Sequence, residues 1–522
     1  MSPALKSALA TLPEYLGSHV LLSTAALVLG LAISLPLALA AIRVERLRWP
    51  LLMLASLIQT IPGLALLALF YPILLALSAL LQGMIGVGVP ALGFLPALIA
   101  LTLYSMLPII RNTVTAVTSL DPAIIEAARG VGMTDRQRLL KVELPLAAPV
   151  IMAGIRTAAV WVIGTATLAT PVGQASLGNY IFAGLQTENW VWVLFGCVAA
   201  ALLALVIDQL LGLIESGATR RSRARVLLGL GGFLAVVLAA TAPVAIGHIG
   251  PRQPSYVIGA KNFSEQYILA ALMADRLEAG GARVTQSSGL GSAVIFRALA
   301  NDEIDAYVDY SGTLWANVMH RTDQPPRAKM LAEMKSWLHD RYGVAMLGSL
   351  GFENAYALAM RRDRAASLGI YDIADLAGHS ADMAIGSDYE FFVRPEWQAL
   401  RNAYGLGFAR KRQYQSTFMY RALMNGDVDV ITAFSSDGRI TANDLLVLTD
   451  GKGAIPPYDA VVLVAPHRVN DRRLMNALAP LIGRINIGMM RKANMMVDRE
   501  KDKLTPGAAA RWIEQEIGLI QQ

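Results

Sequence analysis

Long apolar runs alternate with short polar segments over the first half of the chain. A helix needs roughly 20 apolar residues to cross about 30 Å of hydrocarbon. Six runs reach that length and predict membrane helices at 16–41, 51–75, 91–117, 148–170, 190–214 and 226–246. Two alternatives stay open for the second run, because Pro62 and Pro72 either kink one helix or separate a span from a re-entrant segment that continues to about Leu81.

A different pattern begins after residue 254, where short strand-like runs alternate with helices. Strands are predicted at 256–259, 283–286 and 306–308, and helices at 264–279 and 292–301. This βαβ order predicts a largely parallel sheet with a ligand crevice at the strand ends. The phrases at 298–307 and 422–430 resemble one another, each being a helix that ends in a turn and leads into a strand. Such a repeat is expected when two similar lobes face one another across a cleft.

The distribution of charge agrees with this division. Charged residues form short clusters up to about residue 248 and reach ordinary globular frequency after residue 252, in a chain of 522 residues. We therefore predict an all-α polytopic membrane domain at 1–250 and an α/β domain at 254–522, with the boundary near 247–254.

Basic residues indicate the orientation of the spans. The net charge is +6, and the segments 43–48, 111–141 and 220–225 are basic, so these three loops are predicted to be cytoplasmic. Alternation then places the N-terminus and everything after about residue 247 outside a bacterial cytoplasmic membrane. The first run is long for a signal peptide and is predicted to be retained as a helix. The basic clusters lack interleaved aromatic residues, which argues against nucleic-acid binding.

Few residues suggest a metal or a cofactor. The single cysteine, Cys197, excludes an internal disulfide and a cysteine-based metal cluster, and the six histidines show no metal-ligand spacing. The glycines at 289–291 are too incomplete for a dinucleotide fingerprint, and no Walker A sequence occurs. We expect no cofactor in this chain and no catalytic residues.

The segment 120–146 predicts a short helix, a turn and a second helix. Asp121 is placed to cap a helix with Pro122 at its first position, and Gly130 and Gly132 end it. Thr134 and Gln137 resemble a capping box, and Pro145 is expected to block continuation of the second helix.

This segment, called the coupling loop below, carries Glu126-Ala127-Ala128 and Gly132, followed by Val142, Leu144 and Pro145. In this pattern it resembles the EAA loop of binding-protein-dependent ABC importer permeases, with Val142 where that family usually has isoleucine. The resemblance implies that the loop docks into a groove of a separate ATPase subunit, which would use ATP and Mg. It assigns this docking to Glu126, Ala127, Ala128, Gly132, Leu144 and Pro145.

Five phrases stand out in the second half, at 261–266, 309–313, 354–358, 390–394 and 433–439. In these phrases it resembles the substrate-binding domains of importers for osmoprotectants such as glycine betaine, choline and carnitine. The implied fold is an α/β two-lobed periplasmic-binding-protein clamp. Its first lobe would comprise about 256–358 and 460–522, and its second lobe about 359–459.

A quaternary ammonium has no proton to donate, so proteins hold it between aromatic faces. By resemblance, the four rings of such a cage are Tyr310, Tyr356, Phe434 and Tyr458. Phe434 stands where the family would have tyrosine, which keeps the ring face and removes a hydroxyl.

A zwitterionic solute also needs partners for its carboxylate. The resemblance places four hydroxyl and amide groups near the cleft: Thr313, Ser435, Asn262 and Gln266. Arg394 either grips a carboxylate bidentately or forms a structural salt bridge with Glu390. Glu390 could instead meet a cationic or ring nitrogen, which keeps imidazole betaines such as ergothioneine among the candidates.

The resulting hypothesis is a permease fused to its own binding domain, importing a small zwitterionic or cationic solute such as glycine betaine, choline, carnitine or ergothioneine. Two ATPase subunits would complete the transporter, together with either a second copy of this chain, as a homodimer, or a different permease. The alternative is a membrane-anchored solute sensor without transport.

Overall fold

The computed structural model describes residues 3–520 except 87, 188, 250–253, 322, 324 and 500–501. The centre of the predicted domain boundary lies outside these described residues. The chain forms two compact units. The membrane unit is Ala8–Ile181 with Trp192–Arg252, and the binding unit is Gln253–Gln522 with Met1–Ser7 and Phe182–Val191.

Helices make up the first half of the chain. They are α1 (Pro3–Arg43), α2 (Glu45–Thr60), α3 (Gly63–Ile85), α4 (Phe94–Thr118), α5 (Pro122–Gly130), α6 (Asp135–Arg138), α7 (Leu144–Ala166), α8 (Gly178–Gln186), α9 (Trp190–Thr219) and α10 (Arg223–Ile249). Among the described residues, six helical stretches are long and apolar enough to cross a membrane: Ala4–Arg43, Gly63–Ile85, Phe94–Thr118, Asp135–Val172, Trp190–Thr219 and Arg223–Pro243. The prediction of about six spans is confirmed.

The second span differs from the predicted run at 51–75. The helix breaks at Ile61, whose extended backbone (φ −71°, ψ 126°) is the conformation favoured before a proline. The freed carbonyl of Ile61 accepts a hydrogen bond from Tyr104 Oη. Pro72 lies inside α3 without interrupting it, so the span is Gly63–Ile85 and the residues of α2 precede it.

The expectation that Pro145 ends a helix is wrong. A π-helical segment, Leu139–Glu143, joins α6 directly to α7, and the N–H of Leu144 bonds to the carbonyl of Leu139. This wider turn leaves Pro145 in the first turn of α7, where a helix does not need the N–H that proline lacks. The second helix of the coupling loop therefore continues into a membrane span.

The binding unit is built from two sheets and surrounding helices. The helices are α11 (Ser264–Ala279), α12 (Ser292–Ala300), α13 (Ser311–Thr313), α14 (Arg327–Tyr342), α15 (Arg362–Leu368), α16 (Ile373–Ala377), α17 (Pro395–Tyr404), α18 (Ser416–Met424), α19 (Arg439–Ala442), α20 (Arg472–Leu478), α21 (Ile487–Asp498) and α22 (Pro506–Glu516). The strands are β1 (Ser255–Lys261), β2 (Arg283–Leu290), β3 (Ala306–Tyr310), β4 (Ala345–Glu353), β5 (Tyr356–Arg361), β6 (Ala384–Ser387), β7 (Arg410–Gln413), β8 (Val430–Phe434), β9 (Leu445–Val447) and β10 (Asp459–Val464).

The two sheets have related topologies. The first has the order β2-β1-β3-β10-β4 and the second the order β7-β6-β8-β5-β9. In each sheet three neighbouring strands are parallel, and the next strand, β10 or β5, is antiparallel to both of its neighbours. Each sheet is the core of one lobe, so the two-lobed α/β architecture is present.

The two similar phrases of the sequence occupy equivalent places. One leads into β3 and the other into β8, the third strand of each sheet. Asp305 accepts a hydrogen bond from the N–H of Val257, and Asp429 accepts one from the N–H of Ala384. An aspartate at the equivalent position thus bonds the incoming strand to its neighbour in each lobe.

The chain crosses between the sheets earlier than about residue 358. The strand β4 ends at Glu353 in the first sheet, and β5 begins at Tyr356 in the second. The division expected at 358 would fall inside β5, whose Tyr356 and Ala357 pair with β8. The chain returns to the first sheet between Val447, the end of β9, and Asp459, the start of β10. Tyr458 and Asp459, expected at the end of the second lobe, therefore lie with the first sheet.

Candidate functional site

The edges of both sheets bring aromatic residues together at the cleft between the lobes. Tyr310 and Phe434 end the parallel strands β3 and β8. Tyr356 opens the antiparallel strand β5 directly opposite Phe434, and Tyr458 immediately precedes β10, whose Ala460 lies opposite Tyr310. Because parallel strands end where their antiparallel neighbours begin, four distant parts of the sequence meet at one place.

The rings of this group lie in contact. Tyr356 is 5.1 Å from Phe434 and 6.1 Å from Tyr458, measured between ring centroids. Phe263, just after β1, stacks at 6.1 Å on Tyr310 and at 6.2 Å on Phe434, which joins the fourth ring to the others. Phe391 also lies 5.0 Å from Tyr356, so the rings in contact include Phe263 and Phe391 besides the four predicted ones and come from both lobes.

The three phenols each donate a hydrogen bond to a carboxylate. Tyr310 Oη donates to Glu265 at 2.6 Å, Tyr356 Oη donates to Asp388 at 2.9 Å, and Tyr458 Oη donates to Glu396. Burial raises the pKa of all three phenols well above the ordinary tyrosine value. The rings therefore remain neutral phenols over the physiological pH range.

Arg394 lies beside the rings and connects the lobes. Its Cζ is 5.2 Å from the centroid of the Tyr356 ring. Its Nη2 donates to Thr313 Oγ1 at 3.3 Å and to Tyr458 Oη at 3.5 Å, both from the first lobe. Salt bridges at 3.1 Å to Glu390 and 3.4 Å to Glu396 hold the guanidinium in place. A buried cation next to a hydroxyl is a suitable partner for a carboxylate.

The other predicted polar residues have different surroundings. Gln266 is buried and bonds to the carbonyl of Val308 and to Tyr310 Oη, both at 3.0 Å. Ser435 Oγ accepts from the N–H of Ala355 at 2.9 Å, where the chain crosses between the sheets. Asn262 and Glu390 are exposed, and Glu390 is the half of the ion pair with Arg394 that faces solvent.

Sequence reasoning missed Phe263 and the three carboxylates Glu265, Asp388 and Glu396. Phe263 and Glu265 both lie inside the phrase 261–266 that carried the family resemblance. The spacing of acidic residues gave no indication that each would meet a tyrosine, since the pairs join segments that are 32 to 62 residues apart.

The coupling loop is a second candidate site, in the membrane unit. Asp121 caps α5 through the N–H of Ala123, and Thr134 with Gln137 forms the predicted capping box. Gly132 has φ +80°, a conformation that favours glycine. Glu126 and Ala127 are exposed, Ala128 is buried, Leu144 is half-buried and Pro145 is exposed.

Exposed apolar residues surround these positions in the coupling loop. Ile124 is 40% exposed, Val131 74% and Leu140 53%, and none of them was singled out from the sequence. A short capped helix with an apolar surface of this kind is suited to packing against another protein.

The first unit has six spans and a capped, exposed loop helix, and the second is a two-lobed domain whose cleft is lined with aromatic rings. Together on one chain they define a permease fused to a solute-binding domain. Two family models match accordingly. Residues 30–220 match the binding-protein-dependent transport system inner membrane component, and residues 254–515 match the substrate binding domain of ABC-type glycine betaine transport system. The chain belongs to this family of ABC importers, with both components on one polypeptide.

Individual relatives have the same organisation or part of it. The ergothioneine transport permease/ergothioneine binding protein EgtU of Helicobacter pylori (strain G27) is 30% identical over 90% of this chain and 84% of its own length. The choline transport system permease protein OpuBB of Bacillus subtilis (strain 168) is 39% identical over 38% of this chain and 83% of its own length. A crystal structure of a glycine betaine/carnitine/choline ABC transporter, 26% identical, covers 50% of this chain and 98% of its own, with a TM-score of 0.44.

These relatives decide between the functional classes. The family is one of transport and not of catalysis, and these relatives give no support to the sensor alternative. The chain is an inner-membrane protein whose C-terminal domain is homologous to extracytoplasmic solute-binding proteins.

Proposed function

We propose that this chain imports a quaternary-ammonium or betaine-type solute, in the class of glycine betaine, choline, carnitine and ergothioneine. The observation that carries the proposal is the group of rings formed by Tyr310, Tyr356, Phe434 and Tyr458 from the two lobes. Aromatic faces attract a cation that cannot donate a hydrogen bond, with about 0.5–2 kcal/mol for each well-placed ring.

A carboxylate on the same solute would lie at Arg394 and Thr313. The two side chains belong to different lobes and are already 3.3 Å apart. Arg394 also lies next to the ring of Tyr356, so one small molecule can reach both the rings and the guanidinium. This arrangement favours zwitterionic betaines over choline, which has a hydroxyl where the betaines have a carboxylate.

The complete transporter would contain further subunits. A separate ATPase subunit, using ATP and Mg, would dock on α5 through Glu126, Ala127 and the apolar residues around them. A second copy of this chain would supply the other half of the translocation path, as a homodimer. Since the binding domain is attached to the permease, the effective concentration of the binding domain at its own permease is high, in the mM range for a short linker.

Calorimetric titration of the full chain in lipid nanodiscs tests the solute class. Glycine betaine, choline, carnitine and ergothioneine are titrated in parallel, and we expect saturable binding of at least one of them. A neutral sugar of similar mass serves as the control ligand and should not bind. Absence of binding by all four solutes to a monodisperse, folded preparation would contradict the quaternary-ammonium proposal and leave the importer class unchanged.

A further inference from the structure

The hydroxyls of the cage tyrosines are all directed at buried carboxylates. Glu265 and Glu396 are each 2% exposed, and Asp388 is 7% exposed. The three come from α11, from the loop after β6 and from α17, so their common relation to the rings is not the result of one local turn. Phe434, the phenylalanine among the four predicted rings, has no hydroxyl.

The surroundings of Glu265 and Asp388 fit the ionised form. Glu265 accepts hydrogen bonds from Tyr310, from Asn354 at 3.1 Å, from Ser436 and from Asn494 at 2.9 Å. Burial raises the pKa of the Glu265 carboxyl, and these four donors oppose that rise. The NH2 groups of Asn354 and Asn494 can only donate, so a protonated carboxyl could direct its hydrogen only at the hydroxyl of Tyr310 or Ser436, which would then have to give up its own donation.

Asp388 is surrounded in the same way. Besides Tyr356 Oη, it accepts the backbone N–H groups of Glu390 at 2.7 Å and Phe391 at 2.9 Å. Burial raises the pKa of the Asp388 carboxyl, and these donors oppose it. Two of its three partners are backbone amides, which only donate.

The balance of charge differs among the three carboxylates. Glu396 forms a salt bridge with Arg394, so much of its charge is neutralised. The partners that Glu265 and Asp388 have in the structure are neutral hydroxyl, amide and backbone groups. Two cations lie near the rings, each with its own counterion: Lys261 Nζ is 5.2 Å from the centroid of the Tyr310 ring and pairs with Asp309, and Arg394 Cζ is 5.2 Å from that of Tyr356 and pairs with Glu390 and Glu396. When ionised, Glu265 and Asp388 hold their charge against neutral partners alone in the described part of the chain, so that charge acts on the neighbouring rings, and a low local dielectric strengthens the effect.

We propose that Glu265 and Asp388 are specificity-determining residues that act through Tyr310 and Tyr356, so that the cleft prefers a quaternary ammonium to a neutral group of the same shape. Each carboxylate fixes the orientation of its phenol and increases the electron density of the ring. Both also add a negative potential at the place of the cation. This inference rests on the proposed function, because it presumes that the rings hold a cation.

The test compares a cation with its carbon isostere. Choline and 3,3-dimethylbutan-1-ol have the same shape, as do glycine betaine and 3,3-dimethylbutanoate, and the pair whose cation binds the unaltered chain is used. Competition titration of the full chain in nanodiscs gives the ratio of the two affinities. We expect Glu265→Gln to lower the ratio of the affinity for the quaternary ammonium to that for its carbon isostere about tenfold, mostly by weakening the binding of the quaternary ammonium.

If the role of Glu265 were merely structural, the substitution would weaken the binding of both ligands equally. An unchanged ratio of affinities would therefore overturn the inference. Asp388→Asn provides a second variant if Glu265→Gln does not fold, and it should shift the ratio in the same direction. The matched control is Asp471→Asn, which alters the hydrogen bond from Tyr256 at 2.9 Å, at the other end of β1 from the cage. Its ratio should equal that of the unaltered chain. Binding of neither choline nor glycine betaine by the unaltered chain would overturn this inference, and failure of all four solutes, carnitine and ergothioneine included, would overturn the proposed function as well.

Discussion

The coupling loop and the cleft are stabilised over very different distances along the chain. In the coupling loop, the caps of α5 and α6 join residues two or three positions apart. In the cleft, Tyr356 reaches Asp388 across 32 positions, and Asn494 reaches Glu265 across 229. The loop can adopt its conformation from neighbouring residues alone, whereas the cleft exists only after both lobes have folded.

The two regions also differ in exposure. Glu126, Ala127 and Val131 face solvent, while Tyr356, Tyr458 and Glu265 are buried among partners of their own domain. A change in the loop should therefore act on a partner protein, and a change in the cleft should act on the solute. Substitutions in one region at a time should therefore separate the two effects.

The largest effect is expected from Glu126→Arg. This substitution reverses an exposed charge at the centre of the predicted docking helix, so uptake of the solute by cells should fall at least about thirtyfold. Binding of the solute to the purified chain should be unchanged. Glu45→Arg, the same reversal at an exposed position outside the loop, is the control and should transport normally. Normal uptake by the Glu126 variant would show that this helix does not couple the permease to an ATPase.

A smaller effect, on binding, is expected from Tyr356→Ala. The ring contacts Phe434 and Tyr458, and its loss should weaken solute affinity by about 1–3 kcal/mol through lost area and lost attraction to the cation. Titration of the full chain measures this change. Tyr371→Ala, at a tyrosine 62% exposed in the same lobe, is the matched control. Unaltered affinity in the Tyr356 variant would rule out the cage.

The difference between the regions also explains how far the sequence alone could lead. Asp121, Thr134 and Gln137 were assigned their capping roles correctly, because a cap depends on residues at fixed short spacing. The strands and helices from β1 to β3 lie close to their predicted positions for the same reason. Resemblance to the family supplied the four cage rings, and the structure places all four at one cleft edge.

The features that escaped prediction depend on distant contacts or on rare geometry. The π-turn before Pro145 overrides the usual effect of proline. The break before Pro62 needed Tyr104, from another helix, to satisfy the carbonyl of Ile61. The carboxylates Glu265 and Asp388 become recognisable only when the lobes bring them to their tyrosines.

The smallest effect is expected from Asp121→Ala, which tests whether local order of the coupling loop matters. Asp121 Oδ1 accepts the N–H of Ala123 at 2.9 Å, and removal of such a cap destabilises a helix by about 1 kcal/mol. Because α5 has only 9 residues and few contacts to compensate, we expect uptake to slow about two- to fivefold with solute binding unchanged. Asp121→Asn keeps a capping oxygen and should restore the rate. If both variants transport equally slowly, the charge of Asp121 matters rather than its cap. Normal transport by the Asp121→Ala variant would instead show that the helix owes its order to the docked partner and not to this cap.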